Sequence, residues 1–313
     1  MATAIVYHPD YLKHETGAHP ERPERAALIA EEIRQRDSLE HRYVWLTPQV
    51  CKQEDILRCH SNQQYDLVRQ ACEKNLGALD ADTVISKESF QVSLMASGGV
   101  ITAIDSVMDN QVDNAFVIAR PPGHHATSER AMGFCLFNNV AVGARYAQTK
   151  HNLERVLIVD WDVHHGNGTQ DIFYSDNSVF YFSLHQYPHY PGTGKTTDIG
   201  LGKGEGYTLN APLPASTSAK SYRNIFDEAL KKILTKTKPD LILISAGFDS
   251  HREDPLGQLM LENEDFAWMT TRLKQVAESS GHRRVISVLE GGYNLKQLGK
   301  IALAHVEALA EDL

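Results

Sequence analysis

The chain has 313 residues, and 31 Lys and Arg against 40 Asp and Glu give it a net charge of −9. This acidic balance excludes a broad phosphate-binding face, so we expect no nucleic-acid partner. There is no run of eighteen apolar residues and no basic segment followed by a long apolar core, so we expect no membrane partner and a cytoplasmic location.

The cysteines do not indicate a structural metal or a disulfide framework. Cys51, Cys59, Cys72 and Cys135 follow no zinc-ribbon spacing and are too few for a disulfide scaffold, which fits a reducing compartment. No linker, repeat or low-complexity tract divides the chain, so we expect a single domain over residues 1–313. The oligomeric state is left open, a homo-oligomer included.

Short β-branched apolar runs alternate with amphipathic segments along the chain. In chain order, helices are predicted over residues 22–36, 90–108, 138–150, 221–236, 262–279 and 295–309. Strands are predicted over 115–119, 156–159, 179–184, 241–246 and 285–289. Nearly continuous apolar strands between helices are typical of a buried parallel sheet, so we predict an α/β fold with three layers, α/β/α, around a mostly parallel sheet.

A polar or glycine-rich segment follows each of the five predicted strands. These segments are 120–125, 160–168, 183–185, 247–249 and 290–293. Any one of them alone is explained by a polar turn. Because a ligand site in an open α/β sheet lies outside the carboxyl ends of the strands, their joint placement predicts that all five reach one crevice.

Asp162, His164 and Asp249 are the candidate metal ligands. If residues 156–159 form a buried strand, its alternation would send Asp160, Asp162 and His164 off one side of the strand end. Two carboxylates and one imidazole leave an open position for water and substrate, as in catalytic zinc sites. Such ligation also suits Fe(II), Mn(II) or Co(II), so the residues predict a divalent metal without selecting one.

The remaining polar residues supply acid, base and oxyanion groups. His124 and His125 are candidates for the acid and base, with Asp160 as a carboxylate partner of one ring. Tyr293, on a glycine-flanked turn, would aim its hydroxyl at a developing oxyanion. Together they predict amide hydrolysis through a tetrahedral intermediate, without a Ser or Cys nucleophile and without a G-x-S-x-G elbow.

The chain contains five distinctive motifs: Arg-Pro-Pro-Gly-His-His-Ala (120–126), Gly-Phe-Cys-Leu-Phe-Asn-Asn (133–139), Asp-Trp-Asp-Val-His-His-Gly-Asn-Gly-Thr (160–169), Ser-Ala-Gly-Phe-Asp (245–249) and Leu-Glu-Gly-Gly-Tyr (289–293). These motifs resemble the zinc-dependent histone deacetylase family, which also includes bacterial deacetylase-like amidohydrolases and acetylpolyamine amidohydrolases. They stand in the family's order and follow a His-Pro-Glu-Arg-Pro segment that begins at residue 19. The resemblance therefore runs nearly end to end.

The resemblance implies a role for each residue of the constellation. It places one catalytic Zn²⁺ on Asp162, His164 and Asp249. It makes His124 and His125 the tandem catalytic histidines and Tyr293 the carbonyl-polarising tyrosine, with Asp160 as the carboxylate behind His124 and Arg25 in an internal channel beneath the metal.

The resemblance also implies substrate and potassium contacts. A tunnel for the acyl-lysine stem and its rim would be lined by Gly133, Phe134, Tyr190, Leu256, Asp82 and Gly291. One or two structural K⁺ ions would bind, the first at Asp160, Asp162, His164, Ser183 and Leu184 and the second at Phe173, Val179 and Tyr207.

Two positions address class and substrate. Asn167 stands where many class I members have an acidic partner for the second histidine, which looks like class II. A neutral amide does not stabilise a charged imidazole, so we predict that His125 is less basic than it would be beside a carboxylate.

Leu256 stands where polyamine-selective relatives carry Glu, and an apolar rim offers a second ammonium nothing in exchange for its hydration. We therefore expect an acyl-lysine peptide or protein as substrate, with an acylated small amine as the alternative.

Two further alternatives come from other classes. A non-catalytic acyl-lysine reader on the same fold would have lost Tyr293 or a metal ligand, and both are present. A ureohydrolase would share the α/β architecture and the Asp-x-His motif, but it binds two manganese ions and needs additional bridging carboxylates.

Overall fold

The computed structural model describes residues 2–313. In this range the strands are β1 Thr3–Val6, β2 Tyr43–Leu46, β3 Asn114–Val117, β4 Val156–Asp160, β5 Val179–Gln186, β6 Thr208–Leu213, β7 Leu241–Ala246 and β8 Val285–Leu289. They form one sheet in the order β2-β1-β3-β8-β7-β4-β5-β6. Every neighbouring pair is parallel.

The helices of the same range are α1 Glu24–Glu40, α2 Gln53–Ile56, α3 Asn62–Glu73, α4 Ser89–Met108, α5 Asn139–His151, α6 Asn167–Phe173, α7 Ala219–Lys236, α8 Asn263–Ser279 and α9 Leu298–Ala310. Every residue of β3, β4, β7 and β8 is buried. Because successive side chains of a strand point to opposite faces, both faces of the central sheet are covered. The predicted α/β fold with a parallel sheet is confirmed.

Helix α4 is a long apolar helix that packs against β3 of this sheet. Its length and composition would suit a membrane span, yet 78% of its apolar window is buried within the fold, as in the core helix of a globular protein. A Cβ at Gly98 would lie 1.9 Å from the carbonyl oxygen of Gln49, so the glycine permits close packing against the chain that follows β2.

Several elements differ from the prediction. Strands β1, β2 and β6 and helices α2, α3 and α6 were not predicted, and β3 ends at Val117 although the prediction extended to residue 119. Strand β1 has only four residues, too few for a recognisable pattern. Strand β6 lies at the sheet edge and mixes buried with half-buried positions around Pro212, which is tolerated there because an edge strand leaves backbone N–H groups unpaired.

Candidate metal centre and active-site pocket

Three buried side chains meet beyond the carboxyl ends of the adjacent strands β4 and β7. Ligand atoms of Asp162, His164 and Asp249 all lie within 4.8 Å of one another. Nδ1 of His164 is 3.0 Å from Oδ1 of Asp162 and 3.3 Å from Oδ2 of Asp249. This Oδ2 is buried without a hydrogen bond. A buried carboxylate oxygen left unpaired is costly, so the donor set fits a divalent cation.

Asp162 and His164 lie in turns and not on a continuation of the strand, contrary to the sequence prediction. Strand β4 ends at Asp160. The Asp162 N–H then donates to Oδ1 of Asp160 at 3.2 Å, and the His164 N–H donates to Oδ1 of Asp162 at 2.9 Å. Carboxylates that bind N–H groups two residues on compete with the sheet ladder and turn the chain. The turns still bring Asp162 and His164 to Asp249.

Backbone N–H groups orient the two carboxylates. Gly291 N–H donates to Oδ2 of Asp162 at 2.8 Å, and Val163 N–H donates to Oδ1 of Asp249 at 2.8 Å. The other oxygen of each carboxylate then faces His164. A Cβ at Gly291 would lie 2.0 Å from Oδ2 of Asp249, and one at Gly247 would lie 2.2 Å from Oδ2 of Asp162. Both glycines are therefore required by the metal cluster.

The charges of the cluster are strongly coupled. Burial alone would raise the pKa of Asp162, but the charge of His124 and the hydrogen bond of His164 hold it well below its usual range. Burial and the charge of Asp162 raise the pKa of Asp249 to about 7. Burial lowers the pKa of His164, but its hydrogen bond to Asp162 and its close contact with the Asp249 carboxylate outweigh this and raise it to about 10. Protons therefore compete with a cation for these atoms, and metal affinity falls as the pH falls.

The tandem histidines follow β3 and have different partners. Nδ1 of His124 lies 3.0 Å from Oδ2 of Asp160, and Nδ1 of His125 lies 2.8 Å from Oδ1 of Asn167. Since both partners are acceptor oxygens, each Nδ1 carries the proton. Among residues 2–313, neither Nε2 has a hydrogen bond, so both are available to a ligand.

The two rings also differ in charge. Burial would lower the pKa of His124, but the charges of Asp160 and Asp162 raise it to about 10. Burial and the charges of His124 and His164 hold the pKa of His125 well below its usual value, while its bond to Asn167 opposes this. The low basicity of His125 thus comes mainly from burial and not from the amide. That His125 would be more basic beside a carboxylate than beside Asn167 stays a prediction.

Tyr293 follows β8 and is held on several sides. Its N–H donates to Oδ2 of Asp254 at 2.7 Å, and the Arg25 guanidinium lies 4.8 Å from its ring centroid. Arg25 is fully buried and donates to the carbonyl oxygens of Gly292 and Glu290, at 2.6 Å and 2.5 Å. Burial raises the pKa of the Tyr293 hydroxyl, which therefore stays protonated and able to donate.

A pocket of about 280 Å³ opens above the metal cluster. All six residues assigned to substrate from the resemblance lie in its wall. The complete lining is Asp82, Pro122, His124, His125, Gly133, Phe134, His164, His189, Tyr190, Leu256, Gly291 and Tyr293.

The wall residue Phe134 occupies a strained turn. Met132 and Cys135 exchange backbone hydrogen bonds at 3.1 Å and 3.0 Å, and the intervening Gly133 and Phe134 have φ of 57° and 69°. Positive φ at both central positions defines a tight hairpin turn, and it is unfavourable for a bulky residue. The turn presents the Phe134 ring to the pocket, edge-on to Tyr293 at 6.0 Å. Such strain is typical of functional sites.

One segment expected in the crevice lies elsewhere. Strand β5 continues to Gln186, so Ser183 and His185 are buried within it and do not line the pocket. The Ser183 hydroxyl bonds Nδ1 of His185 at 2.9 Å, and Nε2 of His185 bonds the Gly194 carbonyl at 2.9 Å. The loop after β5 contributes His189 and Tyr190 to the pocket instead.

The residues assigned to potassium form two separate groups beside β5. In the first, Asp160 pairs in register with Ser183 across β4 and β5. In the second, Phe173 ends α6, Val179 begins β5, and Tyr207 accepts the Tyr181 N–H at 2.9 Å through its carbonyl oxygen. Potassium binding at either group stays a prediction.

Sequence reasoning assigned no role to three residues that shape the site. The His189 ring stacks on His164 at 5.0 Å between centroids. Oε2 of Glu290 accepts the backbone N–H of His124 at 3.1 Å, and Asp254 accepts that of Tyr293. Glu290 lies in the segment 290–293 that was predicted to reach the crevice, and its place directly after a fully apolar strand is the signal that could have given it a role. Nothing local marks His189 or Asp254, whose roles depend on loops that meet only in the fold.

Comparison with known proteins finds similarity along nearly the whole chain. The histone deacetylase domain family matches residues 19–309. Over 298 residues the chain is 42% identical to a protein named probable deacetylase from Archaeoglobus fulgidus, with 95% of this chain and 82% of that protein covered. It is 37% identical to polyamine deacetylase HDAC10 from Homo sapiens over 100% of this chain and 48% of that protein. The crystal structure of an HDA15 HD domain matches with a TM-score of 0.91 and 35% identity, covering 99% and 89% of the two chains.

Proposed function

The chain belongs to the histone deacetylase family, a family of hydrolases acting on amides, and we propose that it is a zinc-dependent deacylase of N-acetyl-lysine or a related acyl-lysine. One observation carries the proposal. The buried cluster of Asp162, His164 and Asp249 lies at a pocket that also contains two histidines of opposite charge preference and a protonated tyrosine.

Asp162, His164 and Asp249 would hold the zinc ion. When bound, the ion supplies Lewis-acid chemistry, because it polarises a carbonyl and lowers the pKa of water. Two carboxylates and one imidazole with an open fourth direction suit zinc in a catalytic site. We also propose that the chain binds the one or two K⁺ ions implied by the family resemblance, and that these ions have a structural role.

The tandem histidines divide the proton transfers. His125 is neutral near pH 7, so its Nε2 accepts the proton of the attacking water. His124 is protonated, with Nδ1 bound to Asp160, so its Nε2–H donates to the departing amine nitrogen. Tyr293 donates its hydroxyl proton in a hydrogen bond to the oxyanion that forms on the carbonyl.

The pocket wall supports a lysine side chain as the acyl carrier. Phe134 and Tyr190 line it with aromatic rings, which suit the apolar stem of an acyl-lysine, and Leu256 adds an apolar rim contact. These features favour a substrate whose far end carries no second ammonium.

A second candidate is deacylation of a small cationic amine. Asp82 lines the pocket, and burial together with its hydrogen bond to Asp80 raises its pKa. The negative charge of Asp80 also raises the pKa of Asp82, and a substrate ammonium beside Asp82 would offset this repulsion between the two carboxylates. A relative whose name is polyamine deacetylase is consistent with this candidate.

A comparison of two acylated amines separates the candidates. We expect kcat/KM on an acetyl-lysine peptide to exceed that on N-acetylspermidine by at least about tenfold, because Leu256 gives a distal ammonium no partner. A preference for the polyamine that disappears in Asp82→Asn would replace our proposal with the second candidate. A chelator-treated sample is the control for metal-dependent turnover.

The pH profile tests the role of His125. Asn167→Asp places a carboxylate beside Nδ1 and is expected to raise the pKa of His125 by about one unit. Because the base acts when neutral, the fall of kcat/KM on the acid side should move to higher pH by the same amount. Asn152→Asp, which adds the same charge at the exposed end of α5, is the control and should leave the profile unchanged. An unmoved acid limb in Asn167→Asp would show that His125 is not the base.

A further inference from the structure

A single buried carboxylate joins two loops of the pocket. Oδ2 of Asp254 accepts the backbone N–H groups of Tyr293 at 2.7 Å and of Asn294 at 3.2 Å. Oδ1 of the same side chain accepts the N–H of Leu256 at 2.9 Å. Asp254 is 7% exposed, so these bonds are largely shielded from water. The segment after β8 is thereby tied to the rim segment after β7.

The segment that carries Tyr293 depends on such anchors. Gly291 and Gly292 precede Tyr293, and Gly292 has a φ of +117°, a backbone conformation that glycine adopts readily. Neither glycine has a side chain that could restrain the segment by packing. Phe248 N–H holds the Gly291 carbonyl at 3.0 Å, and Arg25 holds that of Gly292. Within residues 2–313, Asp254 is the partner of the Tyr293 N–H. The position of the tyrosine ring therefore depends on Asp254.

The same carboxylate reaches the metal cluster through the rim. The carbonyl oxygen of Leu256 lies 2.9 Å from Nε2 of His189, and the His189 ring stacks on His164 at 5.0 Å with an interplanar angle of 18°. A continuous series of contacts thus runs from the metal ligand His164 through the rim to Tyr293. The pocket residue Leu256 is thereby joined through Asp254 to the segment that carries Tyr293.

We propose that Asp254 is a positioning residue of the deacylation, which holds the Tyr293 hydroxyl at the correct distance from the metal cluster and couples it to the rim contact Leu256. The inference rests on the proposed function, since it presupposes that Tyr293 acts on the substrate carbonyl. Hydrogen bonds to a carboxylate are stronger than neutral ones, and small misplacements of a catalytic group lower turnover steeply.

Asp254→Asn is the informative substitution. The amide keeps one acceptor oxygen and replaces the other with a donor, so at least one of the two loops loses its bond. We expect kcat to fall by about tenfold or more, while one metal ion per chain is retained, because Asp254 does not contact the ligand atoms.

A double-mutant cycle with Tyr293→Phe separates positioning from a general structural role. If Asp254 acts through the Tyr293 hydroxyl, Asp254→Asn should lower kcat in the wild-type background and have almost no further effect in Tyr293→Phe. Equal losses in both backgrounds, or no loss in the wild type, would overturn the inference. An unchanged kcat in Tyr293→Phe alone would instead refute the proposed function of that tyrosine.

Two further variants complete the test. Glu253→Gln removes an exposed acid next to Asp254 that bonds Gln297, and it should keep kcat within about twofold. If Asp254→Asn does not fold, the double-mutant cycle is measured with Asp254→Glu instead, since this variant keeps the charge but displaces the carboxylate by one methylene. Its loss of kcat should likewise vanish in Tyr293→Phe, and an equal loss in both backgrounds would contradict the inference.

Discussion

Asp249→Asn is expected to abolish metal binding and to lower kcat/KM by at least about a thousandfold. The substitution removes one of two carboxylates and leaves Asp162 and His164 with an amide, a weak neutral ligand for zinc. Elemental analysis of the purified variant should find almost no bound metal. Circular dichroism should remain native, because the ligands lie in turns beyond an apolar sheet that stays intact.

Asp55→Asn is the matched control for this variant. Asp55 is also a buried aspartate, but it pairs with Arg58 at 3.0 Å and is not a member of the metal cluster. We expect Asp55→Asn to keep its metal and its turnover. Stoichiometric metal in Asp249→Asn would show that the cation binds elsewhere, and loss of native circular dichroism would make the site structural as well.

Tyr293→Phe is expected to lower kcat by about a hundredfold or more, the effect of removing one oxyanion donor. The ring contacts with Arg25 and Phe134 do not involve the hydroxyl, so the pocket wall should keep its shape. Metal content should be unchanged, because the hydroxyl is not among the clustered ligand atoms.

The control for this second variant is Tyr146→Phe. Tyr146 lies on α5, bonds Asp105 through its hydroxyl and does not line the pocket. Its turnover should match that of the wild type. If Tyr293→Phe were equally active, the hydroxyl would have no part in stabilising the oxyanion.

The fold was largely predictable because the central strands are long apolar runs. Strands β4, β7 and β8 were recognised within one residue of their bounds, since burial on both faces leaves only apolar side chains. Strands β1 and β2 have four residues each, and that length does not distinguish a strand from other apolar segments.

The members of the site were predictable from motifs, but their mutual geometry was not. The turns at Asp162 and His164 depend on carboxylates that capture backbone N–H groups, which an alternating pattern does not encode. The bond from Gly291 to Asp162 joins residues 129 positions apart, and it exists only because β8, β7 and β4 are neighbours in the sheet. His189 reaches the pocket from the loop after β5, a strand that ends two residues later than its apolar run suggested.

The most direct test of the account is the number and position of metal ions in crystals of the purified protein, located by anomalous scattering at the zinc edge. We predict one ion per chain within about 2.0–2.3 Å of Asp162, His164 and Asp249. Two bridged ions would indicate ureohydrolase-like chemistry instead. Zinc-soaked crystals without an ion among these three side chains would contradict the proposed mechanism.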